Sequence, residues 1–306
     1  MTVIVRDFRA ADAEASARVQ RAALPFLPAN AASVLSETAR AHPDARARTV
    51  VAEEDGDVIG TAQLGVAHDS PTPGVGDAHV YVHPERRGRG AGSPALRTAE
   101  EYLAEIGAAR VYTWVQDEPA HRAFAERYGY RPSRSAHFLR LDLSGGMLPP
   151  LQRPPAGVEI VPGSAFSDDP RPLFALDAEA TADGPGDVEA ELTDYDRWLA
   201  ETWNHPLFSC DLASVAVVDD RPVAFSAART DGSTRYGTGM TGTARAFRGR
   251  GLAKLAKNDS LHRARAAGFT RAVTGNDTGN GAMLAIDRQF GYEICATEVR
   301  HVRALG

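Results

Sequence analysis

Two stretches of this chain, "HPERRGRGAGS" from His83 and "RAFRGRGLAK" from Arg245, are near copies set about 160 residues apart. What surrounds them is copied too. A β-branched stretch and an amphipathic one open each half ("TVIVRDFRAADAEASARVQRAAL"; "GVEIVPGSAFSDDPRPLFALDAEA"). A hairpin pattern follows, with "EDGD" or "DDRP" as its turn. Next come a strand, the Arg-Gly loop, a helix, a strand, a short helix and a Gly-Tyr pair. From Gly90 to Gly129 is 39 residues, and from Gly251 to Gly291 is 40. An order of elements repeated at this length predicts two similar α/β domains. The Pro/Gly-rich "SGGMLPPLQRPPAG" breaks all periodicity and reads as a linker. The expected domains are 1–146 and 158–306, joined by 147–157.

The helix after the first loop should bury Leu96, Ala99, Tyr102, Leu103 and Ile106, and the helix after the second Leu252, Leu255 and Ala256. Both should stop at glycine, Gly107 and Gly268.

Charge narrows the function. The net charge is −6, whereas non-specific nucleic-acid binding wants a basic domain. Two Arg-Gly loops in an acidic chain therefore suit a small anion. Charges appear from Arg6 onward, which argues against a signal peptide or membrane span and for the cytoplasm. Cys210 and Cys295 have no partners at metal-ligand spacing and read as small buried thiols. No metal is expected.

A glycine-rich turn between a strand and a helix points main-chain N–H groups into one concavity, and the helix dipole adds to them. That suits a pyrophosphate. A phosphate-binding P-loop needs Gly-Lys-Ser/Thr, and here Gly92 is followed by Ser93-Pro94 and Gly251 by Leu252-Ala253. A dinucleotide fingerprint needs its first glycine directly after the strand, where "HPER" intervenes. A coenzyme A loop remains.

Arg87-Gly88-Arg89-Gly90-Ala91-Gly92 and Arg248-Gly249-Arg250-Gly251-Leu252-Ala253 resemble the Arg/Gln-x-x-Gly-x-Gly/Ala signature of the GNAT superfamily of acyl-CoA-dependent N-acyltransferases. The resemblance covers nearly all of both halves and implies in each a mixed sheet with helices on both faces. It implies an acetyl-CoA or related acyl-CoA site in each half, with the N–H groups of 88–93 (Ser93 included) and 249–254 on the pyrophosphate. It also implies a gap for the pantetheine arm between splayed strands, His79–Val82 against Val111–Val115 and Met240–Thr243 against Arg271–Thr274. Val82, Thr243 and Asn276 are expected on the coenzyme. The acceptor it implies is a small-molecule amine; nucleic acid and membrane are not expected partners. The chain is expected as a monomer, its two halves mimicking a dimer, or as a homodimer.

Superfamily enzymes often place a tyrosine general acid in the last helix before the Gly-Tyr pair. Here those positions hold Ala125 and Asp287, so the sequence departs from the pattern. Tyr128 lies nearby on another helix face and reads as a packing residue. Chemistry is expected in the second half, on Asp287, Asn280 and Thr241. "TGNDTGN" resembles a T-x-N-x-x-x-N stretch in which asparagines, here Asn276 and Asn280, sit by the coenzyme arm and the acceptor; the plain alternative is turn and cap asparagines. Thr238, Thr241 and Thr243 line the strand before the loop. In the first half Asp77 and His79 are candidate bases, with His121 behind them. The acidic run with Asp177, Glu179, Asp183, Asp187 and Glu189 would suit an amine, or be a solvated face. The alternative to catalysis is a non-catalytic acyl-CoA sensor or scaffold.

Overall fold

A computed structural model describes residues 2–39, 42–68, 70, 72–145, 148–184 and 191–306. In chain order the elements are β1 (Val3–Asp7), α1 (Ala13–Ala23), α2 (Ala31–Ala39), β2 (Arg48–Glu54), β3 (Asp57–Val66), β4 (Val75–Val82), α3 (Gly92–Glu105), β5 (Arg110–Gln116), α4 (Pro119–Arg127) and β6 (Arg131–Asp142). The plan then recurs as β7 (Glu159–Pro162), α5 (Arg171–Ala182), α6 (Tyr195–Trp198), β8 (Ser214–Val218), β9 (Arg221–Thr230), β10 (Arg235–Thr243), α7 (Leu252–Ala266), β11 (Arg271–Asp277), α8 (Gly281–Phe290) and β12 (Glu293–Ala304).

Two compact units emerge, and they do not coincide with the two sequence halves. One comprises Met1–Ala136 with Ala296–Gly306, the other His137–Cys295. The chain leaves the first unit within β6 and returns to it within β12. Each half thus gives its last strand to the other half's unit. The strand exchange is invisible to periodicity, because a strand reads the same whichever sheet it joins.

In the first unit the sheet order is β1-β2-β3-β4-β5-β12. β4 and β5 run parallel, and the other neighbours in this sheet are antiparallel. The β2–β3 turn places Asp55 and Gly56 at φ 51° and 88°, the doubly left-handed geometry that matches strand twist. Leu96, Ala99 and Leu103 of α3 are buried against Ala62, Leu64, Ala78 and Val111. Tyr102 and Ile106 pack at the margin of this core. The helix gives way at Gly107, φ 88°.

In the second unit β6, from residue 137, lies beside β11, and the order continues β10-β9-β8-β7. β10 and β11 run parallel, whereas β10 with β9, β9 with β8 and β8 with β7 are antiparallel. Here the hairpin turn is Asp219-Asp220, φ 49° and 60°, with aspartates holding a conformation that glycine would hold at less strain. On α7, Leu252, Leu255 and Ala256 are buried as the apolar stripe predicts, and Lys257, Asn258 and Ser260 are buried with them. Neither cysteine is buried as expected: Cys210 is half-buried and Cys295 exposed, its Sγ 3.4 Å from the Phe138 carbonyl.

α5 rides directly on β10 at Gly242. A Cβ there would lie 2.5 Å from the Ala180 Cβ and 3.0 Å from Phe225 Cε1. Gly242→Val is therefore expected to cost about 1–3 kcal/mol by overpacking, read as a lowered melting temperature.

Candidate acyl-transfer site

Both Arg-Gly loops adopt the conformation that their glycines permit. φ is 77° at Gly88, 91° at Gly90, 76° at Gly249 and 75° at Gly251. A Cβ built at any of the four meets nothing within 4 Å. The glycines are thus required by backbone conformation, and each borders open space. The helices that follow, α3 and α7, begin without a side-chain cap. Their first-turn N–H groups therefore lack side-chain acceptors, the condition for binding an anion at a helix start.

The arginines divide their roles. In the first loop Arg86 and Arg89 both reach the buried Glu54 Oε2, at 3.2 and 3.3 Å. Arg87 is exposed and has no ion pair among the described residues. In the second loop Asp183 takes Arg245 at 2.7 Å and Arg248 at 2.6 Å. These two guanidiniums hold the Asp183 carboxyl well below the usual range. Arg250 lies over the Phe247 ring at 4.9 Å. Arg87 and Arg250 thus make no ion pair among the described residues, Arg250 donating only to the Ala246 carbonyl at 3.5 Å.

The acidic run is not an open amine-binding face. Asp183 neutralises loop arginines, Glu179 accepts from the Arg245 main-chain N–H, and Asp177 is buried, accepting from Trp198 Nε1 at 2.8 Å. Asp187 and Glu189 lie outside the described residues.

The strands part as the resemblance implies, a little later than expected. β4 and β5 pair only through Val75↔Arg110, Gly76↔Val111 and Asp77↔Tyr112. β10 and β11 pair only through Arg235↔Arg271, Tyr236↔Ala272 and Gly237↔Val273. Val111 and Arg271–Val273 therefore belong to the closed end. The open sides are Ala78–Val82 against Thr113–Gln116, and Thr238–Thr243 against Thr274–Asp277.

Only one of the two gaps carries a bulge. β3 and β4 keep register from Gly60↔Val82 to Val66↔Gly76. On β10, Thr238 opposes Ala228 but Thr241 opposes Ser226. Three steps on β10 match two on β9, so one extra residue falls at Gly239–Met240. A bulge takes an N–H out of the ladder, here on the strand that borders the gap.

Around this bulge the second unit buries a polar network. Thr241 and Ser226 hydroxyls are 3.2 Å apart. Tyr236 Oη lies 2.6 Å from Ser260 Oγ, which donates to the Leu212 carbonyl at 2.6 Å, so tyrosine is the donor to serine. Thr238 Oγ1 and Tyr292 Oη are buried close by without well-formed hydrogen bonds.

Asp287 does not stand at the open site. It is fully buried, with Oδ1 2.5 Å from Lys257 Nζ and Oδ2 accepting from Asn276 Nδ2 at 2.6 Å. Lys257 is equally buried and lies 5.1 Å from the Tyr292 ring centroid. Burial pushes its pKa down, against the pull of Asp287. Asp287, one of the residues on which chemistry is expected, is thus held in a buried ion pair. Asn280 caps α8, its Oδ1 accepting from the Met283 N–H at 3.2 Å. Asn276, half-buried on the open part of β11, is pinned by Asp287 through Nδ2, which leaves its Oδ1 free to accept.

In the first unit Ala125 is core, so no proton donor stands at that position. Tyr128 packs at the margin of the first core, its ring centroid 5.1 Å from that of Phe124; the nearby Ser93 hydroxyl, with Arg97 beside it, lowers its pKa. His121 has its pKa lowered by burial, with Arg87 adding to the effect. Asp77 and His79 approach to 3.8 Å on β4.

Sequence reasoning missed Lys257. Its signal was present, as one of only two lysines in the chain. It also missed Glu298, which sits in the first unit because of the strand exchange and has no sequence signature.

Comparison with known proteins bears on this geometry. A profile of the acetyltransferase (GNAT) family matches residues 17–130. The mycothiol acetyltransferase of Nocardia farcinica is 31% identical over 263 residues, covering 83% of this chain and 82% of that protein. Two solved structures share the fold at a TM-score of 0.71. One is a GCN5-related N-acetyltransferase from Sphaerobacter thermophilus, 23% identical, covering 99% of this chain and 95% of that one. The other is a tandem GNAT protein from the clavulanic acid biosynthesis pathway, 19% identical, covering 100% and 99%. The paired loops, the parted strands and the Nocardia relative, matched over 83% of this chain, lead to one conclusion: the chain belongs to the acetyltransferase (GNAT) family.

Proposed function

We propose that this tandem protein, with sequence repeats 1–146 and 158–306 about a linker at 147–157, moves an acetyl group from acetyl-CoA to the amine of a small molecule, mainly in its second unit. The observation that carries the assignment is the bulge at Gly239–Met240, present beside the second gap and absent beside the first. The name of the Nocardia relative, mycothiol acetyltransferase, supports a small-molecule acceptor.

The residues fit acetyl-CoA at both loops, where open glycine turns meet uncapped helix starts. Acetyl-CoA supplies the acetyl group as a thioester. The chain's own contributions follow from position. Main-chain N–H groups of 249–254, with Arg250, hold a diphosphate by charge and direction. The N–H released at the bulge supplies a fixed donor for an oxygen that gains charge during acyl transfer, a role worth about 3–4 kcal/mol when such donors are preorganised. Asn276 presents Oδ1 as an acceptor for an N–H, its orientation fixed by Asp287. Thr241 is held by Ser226 beside the bulge.

The test is thiol release from acetyl-CoA with glucosamine and tyramine, using chains with one loop blocked. Gly251→Val removes most turnover and Gly90→Val removes little. Equal losses contradict the assignment.

A further inference from the structure

The first unit has a polar constellation on the α1 face of its sheet that the two loops and the bulge do not explain. β4 and β5 part after Asp77↔Tyr112. Four residues further along each strand, Tyr81 and Gln116 stand level across the gap, and Gln116 pairs with Glu298 of β12. Paired residues share a face. Asp77, His79 and Tyr81 therefore lie on the same side as Tyr112, Trp114, Gln116, Glu298 and Arg300. Gln116 Nε2 donates to the Ala23 carbonyl at the end of α1, 2.9 Å away, which identifies that side. The other side carries Ala78 and Val111, packed in the α3 core.

Within this constellation Glu298 is 7% exposed and makes no hydrogen bond or ion pair among the described residues. A buried carboxyl without a partner is costly. In the interior of a β-strand it has no structural reason to be there. Burial alone pushes it up to about 7. It acts electrostatically on Tyr81, whose hydroxyl is held protonated by burial first and then by Glu298, Glu37 and Asp77. On the same face are Asp77, His79 and Tyr81 from β4, the neutral Gln116 paired with it from β5, and Arg300 on β12 itself, while Glu37 of α2 acts with it on Tyr81. Arg300 lies over the Tyr112 ring at 4.3 Å.

We propose that the first unit is a second acyl-acceptor site, for small primary amines, in which the Glu298 carboxylate binds the acceptor's ammonium and takes its proton. The balance is R–NH3⁺ plus Glu298–COO⁻ giving R–NH2 plus Glu298–COOH. The free amine attacks the thioester carbonyl, and the C–N bond forms as the C–S bond breaks. The proton lost from the nitrogen goes to the departing coenzyme thiolate, and Glu298 returns its own proton to solvent. The inference is separate from the bulge-based assignment of the second unit, although both use the coenzyme loops. A carboxyl poised near neutrality is suited to a general base at physiological pH.

The experiment uses the full chain carrying Gly251→Val, so that the second unit is blocked, with acetyl-CoA and either tyramine or glucosamine between pH 5.5 and 9. Residual thiol release is expected with at least one amine, and it is lost when Gly90→Val is added. Its kcat/KM rises with pH and levels off above about 7, because only the deprotonated carboxyl can accept the proton. Adding Glu298→Gln is expected to lower kcat/KM about a hundredfold and flatten the profile, with KM for acetyl-CoA within about twofold. Glu298→Asp restores part of the rate. A melting curve checks that the Gln variant is folded. No residual release with either amine overturns the proposal, as does a folded Gln variant with unchanged rate and profile. The second-unit assignment is read independently, from the chain carrying Gly90→Val alone.

Discussion

Lys257→Met is expected to destabilise the second unit by about 3–5 kcal/mol, because it strands the Asp287 carboxylate in the interior without its counter-ion. Both side chains are fully buried, so water cannot replace the lost partner. For a unit of this size the melting temperature should fall by roughly 6–20 °C. A paired replacement is the informative control. Lys257→Met with Asp287→Leu removes both charges and is expected to recover most of the stability, since buried ion pairs exchanged for apolar groups of similar volume are often neutral or better. Turnover should not recover with it. Asn276 would lose the acceptor that fixes its Nδ2, and its amide could then turn. A single variant that melts like the parent would show that the pair is not a structural necessity.

The second large effect is at the loops. Gly251 sits at φ 75° immediately before α7. A side chain with a branched Cβ strains that conformation, and it projects into the open space at the helix start. Gly251→Val should lower kcat/KM for acetyl-CoA about a hundredfold or more, as expected when several charge-assisted hydrogen bonds to a diphosphate are lost together. Gly90 has a similar φ of 91°, so Gly90→Val should damage its own loop as badly. Total turnover should nevertheless change by less than about twofold, because the first gap lacks the bulge donor worth a few kcal/mol.

The repeated order of elements was legible because periodicity, hairpin turns and glycine stops are local signals. Gly107, Gly268 and the two Arg-Gly loops lie where local chemistry demanded. Long-range facts were not legible. Nothing in "EICATEVRHVRA" says that its last residues join the first unit, so Glu298 could not be assigned there. Asp287 occupies a position where the family often has a tyrosine, yet its direction is set by Lys257, thirty residues earlier on α7. The acidic run looked free until Asp183 was seen on Arg245 and Arg248. The bulge on β10 also escaped, because a register shift needs both strands in view.

Calorimetric titration of coenzyme A into the parent chain and into the Gly251→Val chain addresses the diphosphate cradle most directly. Saturable uptake by the parent, with the site of the second unit missing from the variant, is the predicted result. Absence of uptake by the parent, or identical isotherms for the two chains, would contradict it.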